Sequence, residues 1–251
     1  MKINNITVTR FFTILLSKMI FYLFNQISKM TTKRAIYICF EGIEGVGKTT
    51  QCKKLYEYLI EKEYKVLLTK EPGTPHLPLT MKLREFMLDK QYDGQLTDKA
   101  REFINQAIRS IHIEKLIIPA LTEYDYIIQD RGILSGLSYG ETCGNDPIFL
   151  KYLDNQITAA CDVKQIHNIY QLYNYVIYLH GNIEESLNKS VASKKEFESG
   201  DAMESKGLKF MYDVKGKMDT YADNFNTLNI YVTNKDIDQV FDEIKVALKI
   251  K

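Results

Sequence analysis

Gly42 to Thr49 reads GIEGVGKT, a match to G-x-x-x-x-G-K-[ST]. Gly42, Gly45 and Gly47 let the backbone take conformations closed to other residues and come close to a ligand. Successive N–H groups of Ile43, Glu44, Gly45, Val46, Gly47 and Lys48 can then point into one concavity, beside the positive end of the helix that follows from Thr50. A polyphosphate satisfies both. Lys48 supplies a mobile charge for the terminal phosphates, and the Thr49 hydroxyl can ligate Mg²⁺. The flanks support the match. Ala35 to Phe40 is a short apolar, β-branched and aromatic run, and residues 50–60 have helical composition. Further along, Asp130 ends another apolar run and can hold Mg²⁺ directly or through water. Arg131 follows it. Glu71-Pro72-Gly73 is a turn after a strand. Arg101, Asn105, Arg109 and His112 share one helical face by i+3 and i+4 spacing.

The elements that must position these residues alternate in type. Strands are expected at 35–40, 65–69, 126–129, 175–179 and 228–232. Helices are expected at 50–60, 79–89, 98–121, 133–139, 184–191, 204–224 and 237–250, with a loop and then a helix over 140–173. Such alternation means βαβ crossovers and a parallel sheet. The expected fold is α/β: a P-loop NTPase three-layer fold with a five-stranded parallel sheet flanked by helices and a mobile lid. Ligands of such sheets sit beyond the carboxyl ends of the strands, so the Gly loop, Glu71-Pro72 and Asp130-Arg131 should converge on one cleft.

Composition narrows the class. The 251 residues carry a net charge of +1, so nothing global draws the chain to nucleic acid or a membrane. Cys39, Cys52, Cys143 and Cys161 show no metal spacing and read as reduced thiols of a cytoplasmic protein. Residues 1–33 stand apart as an N-terminal extension to a 34–251 domain. Positions 1–34 contain no Asp or Glu but carry Lys2, Arg10, Lys18, Lys29, Lys33 and Arg34. Phe11 to Phe24 is too short, and too interrupted by Lys18, to span a bilayer. We favour Met30 as the natural start, ahead of a basic amphipathic or targeting helix.

FEGIEGVGKTTQ, KEPG, LREFML, RSIHIEKLIIPAL and then DR with SGLSY, in this order and spacing, resemble the thymidylate kinase family. The resemblance runs from about Ala35 to the C-terminus. It implies ATP-dependent phosphorylation of dTMP to dTDP with Mg²⁺, by a homodimer. It also implies roles. Glu44 faces the acceptor sugar, Pro72 touches the base, Arg84 holds the acceptor phosphate and Arg109 points at the acceptor. Arg131 bridges the two phosphates, and Tyr139 packs where a 2′-hydroxyl would sit. Glu71 and Asn105 fall in the same acceptor pocket, and His112 reads as a bystander.

Three departures stand out. The residue four before Arg109, a base-stacking Phe in the family, is Asn105, and Phe103 would point elsewhere. Gly132 and Gly140 replace larger residues, which predicts a roomier pocket that could accept another or a modified deoxynucleotide, unless the long 140–173 segment refills it. The lid, at about 189–204, contains no arginine, so Lys194 or Lys195 would supply its charge without the bidentate fork of guanidinium. A nucleotide-binding relative of low activity is the alternative. The pattern argues against a GTPase-like switch, since Asn234-Lys235-Asp236 is followed by Ile237 where Asn-Lys-x-Asp requires Asp.

Overall fold

A computed structural model describes residues 34–161, 165–166, 169–170, 172–193, 203 and 206–250. The predicted extension lies outside the described residues, as do Lys194, Lys195 and most of the expected lid. Ala35–Lys251 form one compact unit.

Its centre is a sheet of strands β1 (Ile36–Glu41), β2 (Val66–Lys70), β3 (Tyr126–Asp130), β6 (Tyr175–His180) and β7 (Leu228–Tyr231), in the order β2-β3-β1-β6-β7 and parallel throughout. Tyr37, Ile38, Cys39 and Phe40 of β1 are fully buried, as a central strand covered on both faces requires. Helices α1 (Lys48–Glu61), α2 (Pro78–Leu88), α3 (Asp98–His112), α4 (Ile118–Glu123), α5 (Ile133–Thr142), α6 (Pro147–Thr158), α7 (Ile183–Ser193), α8 (Gly207–Asn224) and α9 (Ile237–Leu248) complete the fold. The five expected strands and the parallel sheet are present.

Register matters for the site. Phe40 of β1 and Lys70 of β2 both pair with Asp130 of β3. The Gly loop, Glu71 and Arg131 therefore leave the sheet side by side at one edge.

Two segments differ from expectation. The helix expected over 98–121 is broken into α3, a π-helical segment Ile113–Ile117, and α4. Pro119 has no N–H to donate into the preceding turn, and the hydrogen bonding shifts to wider spacing just before it, with the Ile118 N–H on the Ile113 carbonyl. The 140–173 segment holds more than one helix. After α6 it forms a short antiparallel hairpin, β4 (Gln165–Ile166) with β5 (Ile169–Tyr170).

Candidate active site

The Gly loop spans the step from β1 to α1. Gly42 has φ 143°, and a Cβ there would fall 2.3 Å from the Leu179 carbonyl oxygen of β6. Only glycine meets both demands. Gly42→Ala is expected to cost about 1–3 kcal/mol through overpacking and positive-φ strain, read as a lower Tm and a weakened nucleotide affinity. Gly45 and Gly47 also have positive φ, 73° and 99°. Lys48 is buried, and its Nζ donates to the Ile43 carbonyl at 2.7 Å. Burial, reinforced by the positive charge of Arg131, lowers its pKa to about 7. The Thr49 hydroxyl donates to Asp130 Oδ2 at 2.5 Å, and Asp130 Oδ1 is buried without a protein partner.

A first cleft lies over this loop. Glu44 to Gln51, Asp130 and Arg131 line it, together with Glu185 and Lys189 of α7 and with Val232, Thr233, Lys235, Asp236 and Ile237. Gly42 and Ile43 stand behind the loop instead. Their carbonyls accept from Arg131 Nη1 (3.2 Å) and Lys48. A second cleft adjoins the first, and Glu44 and Arg131 belong to both. Glu71, Pro72, Arg84, Asn105, Arg109 and Tyr139 all line this second cleft. Every residue expected from the sequence, outside the undescribed Lys194 and Lys195, is thus brought to one of two adjoining clefts or directly behind the loop.

The junction is held by residues that spacing did not reveal. Glu41, the last residue of β1, is fully buried. Its Oε1 accepts from the Leu134 N–H at 2.9 Å, and its Oε2 from the Ser135 N–H at 3.2 Å and the Ser135 hydroxyl at 2.5 Å. A carboxylate thereby caps the start of α5. Burial raises its pKa, opposed by Ser135 and Arg131. A carboxylate at the end of an otherwise apolar strand was the available signal. Arg131 adopts φ 67°, its N–H donates to the Phe40 carbonyl at 2.9 Å, and its guanidinium lies 5.5 Å from the Tyr139 ring centroid. Tyr139 Oη is 3.5 Å from Glu44 Oε1, and Arg131 Nη2 is 3.7 Å from the same oxygen.

On the second cleft, Arg84 Nη1 donates to the Pro72 carbonyl at 3.0 Å, which ties α2 to the Glu71-Pro72 turn, whose peptide bond is cis. Arg109 is buried between two carboxylates. Nη1 meets Glu71 Oε2 at 2.5 Å, and Nε meets Asp154 Oδ1 at 2.9 Å. Burial alone would push the Glu71 carboxyl up, but Arg109 and His112 outweigh it and hold it below the usual carboxylate range. Asp154, by contrast, is raised by burial.

His112 is no bystander. It is fully buried, with Nδ1 2.8 Å from Glu71 Oε1 and Nε2 2.9 Å from the Thr69 hydroxyl, so it fixes the carboxylate that fixes Arg109. The face shared by Arg101, Arg109 and His112 is correspondingly buried rather than solvated.

The roomier pocket expected at Gly132 and Gly140 is also corrected. A Cβ on Gly132 would fall 2.3 Å from Tyr173 Oη, and one on Gly140 would fall 3.0 Å from Leu150 Cδ1 and 3.1 Å from Glu102 Oε2. Leu150 and Tyr173 both come from the long 140–173 segment, which refills the space. Asn105 does line the cleft, 3.5 Å from Glu102 Oε1. Phe103 points outward, half exposed, with its ring edge-on to Phe149 at 5.7 Å. Glu102 and Gln106 join Asn105 on the α3 wall, with Gln106 Nε2 donating to Glu102 Oε1 at 2.7 Å.

A glycine loop between β1 and α1, with an acid-arginine pair at the end of a neighbouring parallel strand, defines a P-loop NTPase fold with a second cleft beside its phosphate loop. A family model for thymidylate kinase matches residues 40–244, and the chain belongs to that family. It is similar to the thymidylate kinase of Prochlorococcus marinus subsp. pastoris, 31% identical over 220 residues that cover 86% of this chain and 95% of that one. It is 38% identical to the thymidylate kinase of Finegoldia magna over 104 residues, and 39% identical to that of Geotalea daltonii over 125. In those two alignments the chain spans 50% and 57% of the relative's length. A crystal structure of thymidylate kinase from Ehrlichia chaffeensis superposes with a TM-score of 0.65 at 23% identity, covering 86% of this chain and 99% of that one, and shows the same fold.

Proposed function

We propose that the chain transfers the γ-phosphoryl group of ATP to dTMP, giving dTDP. The observation that carries this reading is the shared wall. Glu44 and Arg131 line both clefts, so a triphosphate on the Gly loop and a monophosphate in the second cleft would meet across them. The acceptor needs little activation, since a nucleoside monophosphate is largely dianionic at neutral pH with a second pKa of about 6. Catalysis then consists of alignment and of neutralising the charge between two phosphates.

Lys48 and the loop N–H groups bind the donor phosphates. Arg131 spans the donor and acceptor phosphates. Arg84 and the Glu71-Pro72 turn hold the acceptor, with Arg109 beneath it. Tyr139 and Glu44 bound its sugar. Thr49 and Asp130 are hard oxygen donors side by side, and the orphaned Asp130 Oδ1 fits a Mg²⁺ ion that shares phosphate and water ligands. When bound, that ion supplies charge neutralisation between the donor phosphates. Among the described residues no cluster of three or more His, Cys, Asp or Glu forms a metal site. Lys194 or Lys195 supplies the lid charge in this reading, and the enzyme works as a homodimer, which light scattering on the purified protein tests. No helix among the described residues is long and apolar enough to cross a membrane. A cytoplasmic location is part of this reading.

ADP release measured against a panel of ribo- and deoxynucleoside monophosphates tests the assignment. Turnover highest with dTMP is expected. Turnover with another monophosphate but not dTMP, or with none, rejects it.

Lys48 adds a proton signature. Its amine, at about 7 in the free protein, is largely neutral above that pH and becomes charged against bound phosphate. Calorimetry of ATP binding in buffers of different ionisation enthalpy should show proton uptake that grows from pH 6 towards about one proton near pH 8. Uptake that does not change with pH would place the Lys48 pKa elsewhere.

A further inference from the structure

Tyr173 belongs neither to the Asp-Arg motif nor to α3, and nothing in the kinase reading uses it. It is 5% exposed, just ahead of β6, with its ring edge-on to Tyr37 at a centroid distance of 4.7 Å. Its phenol fills the space a side chain at 132 would enter, since a Cβ on Gly132 would meet Tyr173 Oη at 2.3 Å and Cys39 Sγ at 2.9 Å.

From there the hydroxyl reaches towards Arg131. The route to Arg131 runs through Gln129, which is wholly buried in β3. Gln129 Nε2 donates to the Arg131 carbonyl at 2.7 Å and lies 3.4 Å from Tyr173 Oη, while its Oε1 accepts from the Tyr37 hydroxyl. Arg131 needs such support, because a non-glycine residue at φ 67° persists only where its surroundings over-determine it.

We propose that Tyr173 is a positioning residue for phosphoryl transfer. Through Gln129 it fixes the left-handed turn at Arg131. The geometry argues for this over simple space filling. The ring alone would satisfy packing against Tyr37 and Gly132, whereas the hydroxyl is the atom that meets the Gln129 amide. Removing that one oxygen should therefore loosen the Arg131 turn and spare the core.

Tyr173→Phe tests it, with the kinetic arm resting on the kinase reading. We expect kcat to fall about tenfold, as loss of alignment does, with the KM for ATP within about twofold and an unchanged Tm. Gly132→Ala should lower kcat by about a hundredfold by pushing the phenol away. Adding Tyr173→Phe to it removes the 2.3 Å contact and should raise kcat towards, and not above, that of Tyr173→Phe alone, a sign of direct coupling between the two positions. Independently of any substrate, the Gln129 side-chain amide protons should exchange slowly in the wild type and at least about tenfold faster in Tyr173→Phe when followed by NMR. An active wild type beside a Tyr173→Phe variant of equal kcat overturns the proposal, and so does unchanged Gln129 exchange. A wild type that releases no ADP with any monophosphate rejects the kinase reading instead, and the exchange measurement still decides the role of Tyr173.

Discussion

Replacing Arg131 with alanine is expected to lower kcat by about 10³-fold or more, the scale on which an arginine acts in phosphoryl transfer. The KM for ATP should move little, because Lys48 and the loop N–H groups remain. Two features make the loss hard to repair. The guanidinium is placed by several partners at once. Nη1 donates to the Gly42 carbonyl and to Ser135 Oγ, each at 3.2 Å, and the ring of Tyr139 lies beneath it. A lysine at 131 has a point charge but no fork with which to span two phosphates, so Arg131→Lys should recover little. Steady-state kinetics with both substrates varied would check this. A variant that retains more than about a tenth of wild-type kcat would remove Arg131 from the bridging role.

The second large effect concerns stability. Arg109→Leu should destabilise the fold by about 3–5 kcal/mol, because it leaves Glu71 and Asp154 buried without their cation. Arg109 is buried to 6% exposure, and its partners to 9% and 1%. The pH dependence gives the cause away. In the wild type Glu71 has a pKa below its unfolded value, so its contribution is present above the ordinary carboxylate range and is lost as pH falls through the folded pKa. In Arg109→Leu both carboxyls are pushed up by burial, and the penalty shrinks as acid protonates them. Denaturant midpoints between about pH 4 and pH 8 should therefore converge for the two proteins at the acid end. A gap that is constant with pH would mean that lost packing, and not unpaired charge, explains the cost.

Much of this architecture is legible in the sequence, for local reasons. The Gly loop is a contiguous pattern whose spacing is set by backbone geometry, and Asp130-Arg131 and Glu71-Pro72 each end an apolar run. The parallel sheet follows from the alternation of elements. What could not be read depends on contacts between distant positions. Glu41 and Gln129 look like strand interruptions until the start of α5 and the turn at Arg131 arrive to meet them. His112 has the spacing of a solvated face, and only the fold shows Glu71 and Thr69 on its two nitrogens. Gly132 and Gly140 suggest empty space because their fillers, Tyr173 and Leu150, sit in a segment with no motif of its own. The π-helical segment before Pro119 is a finer case: the proline was visible, but it widened one turn of the helix instead of ending it.

That motif-poor segment has a consequence for how this protein could change. Asn145, Leu150 and Asp154, which line the second cleft, lie within a single stretch that contributes nothing to the Gly loop. Substitutions there would alter which acceptor fits while leaving donor binding intact. This part of the wall is thus separate in sequence from the Gly loop, and new acceptor preferences can be sought by diversifying lining positions such as Asn145 and Leu150.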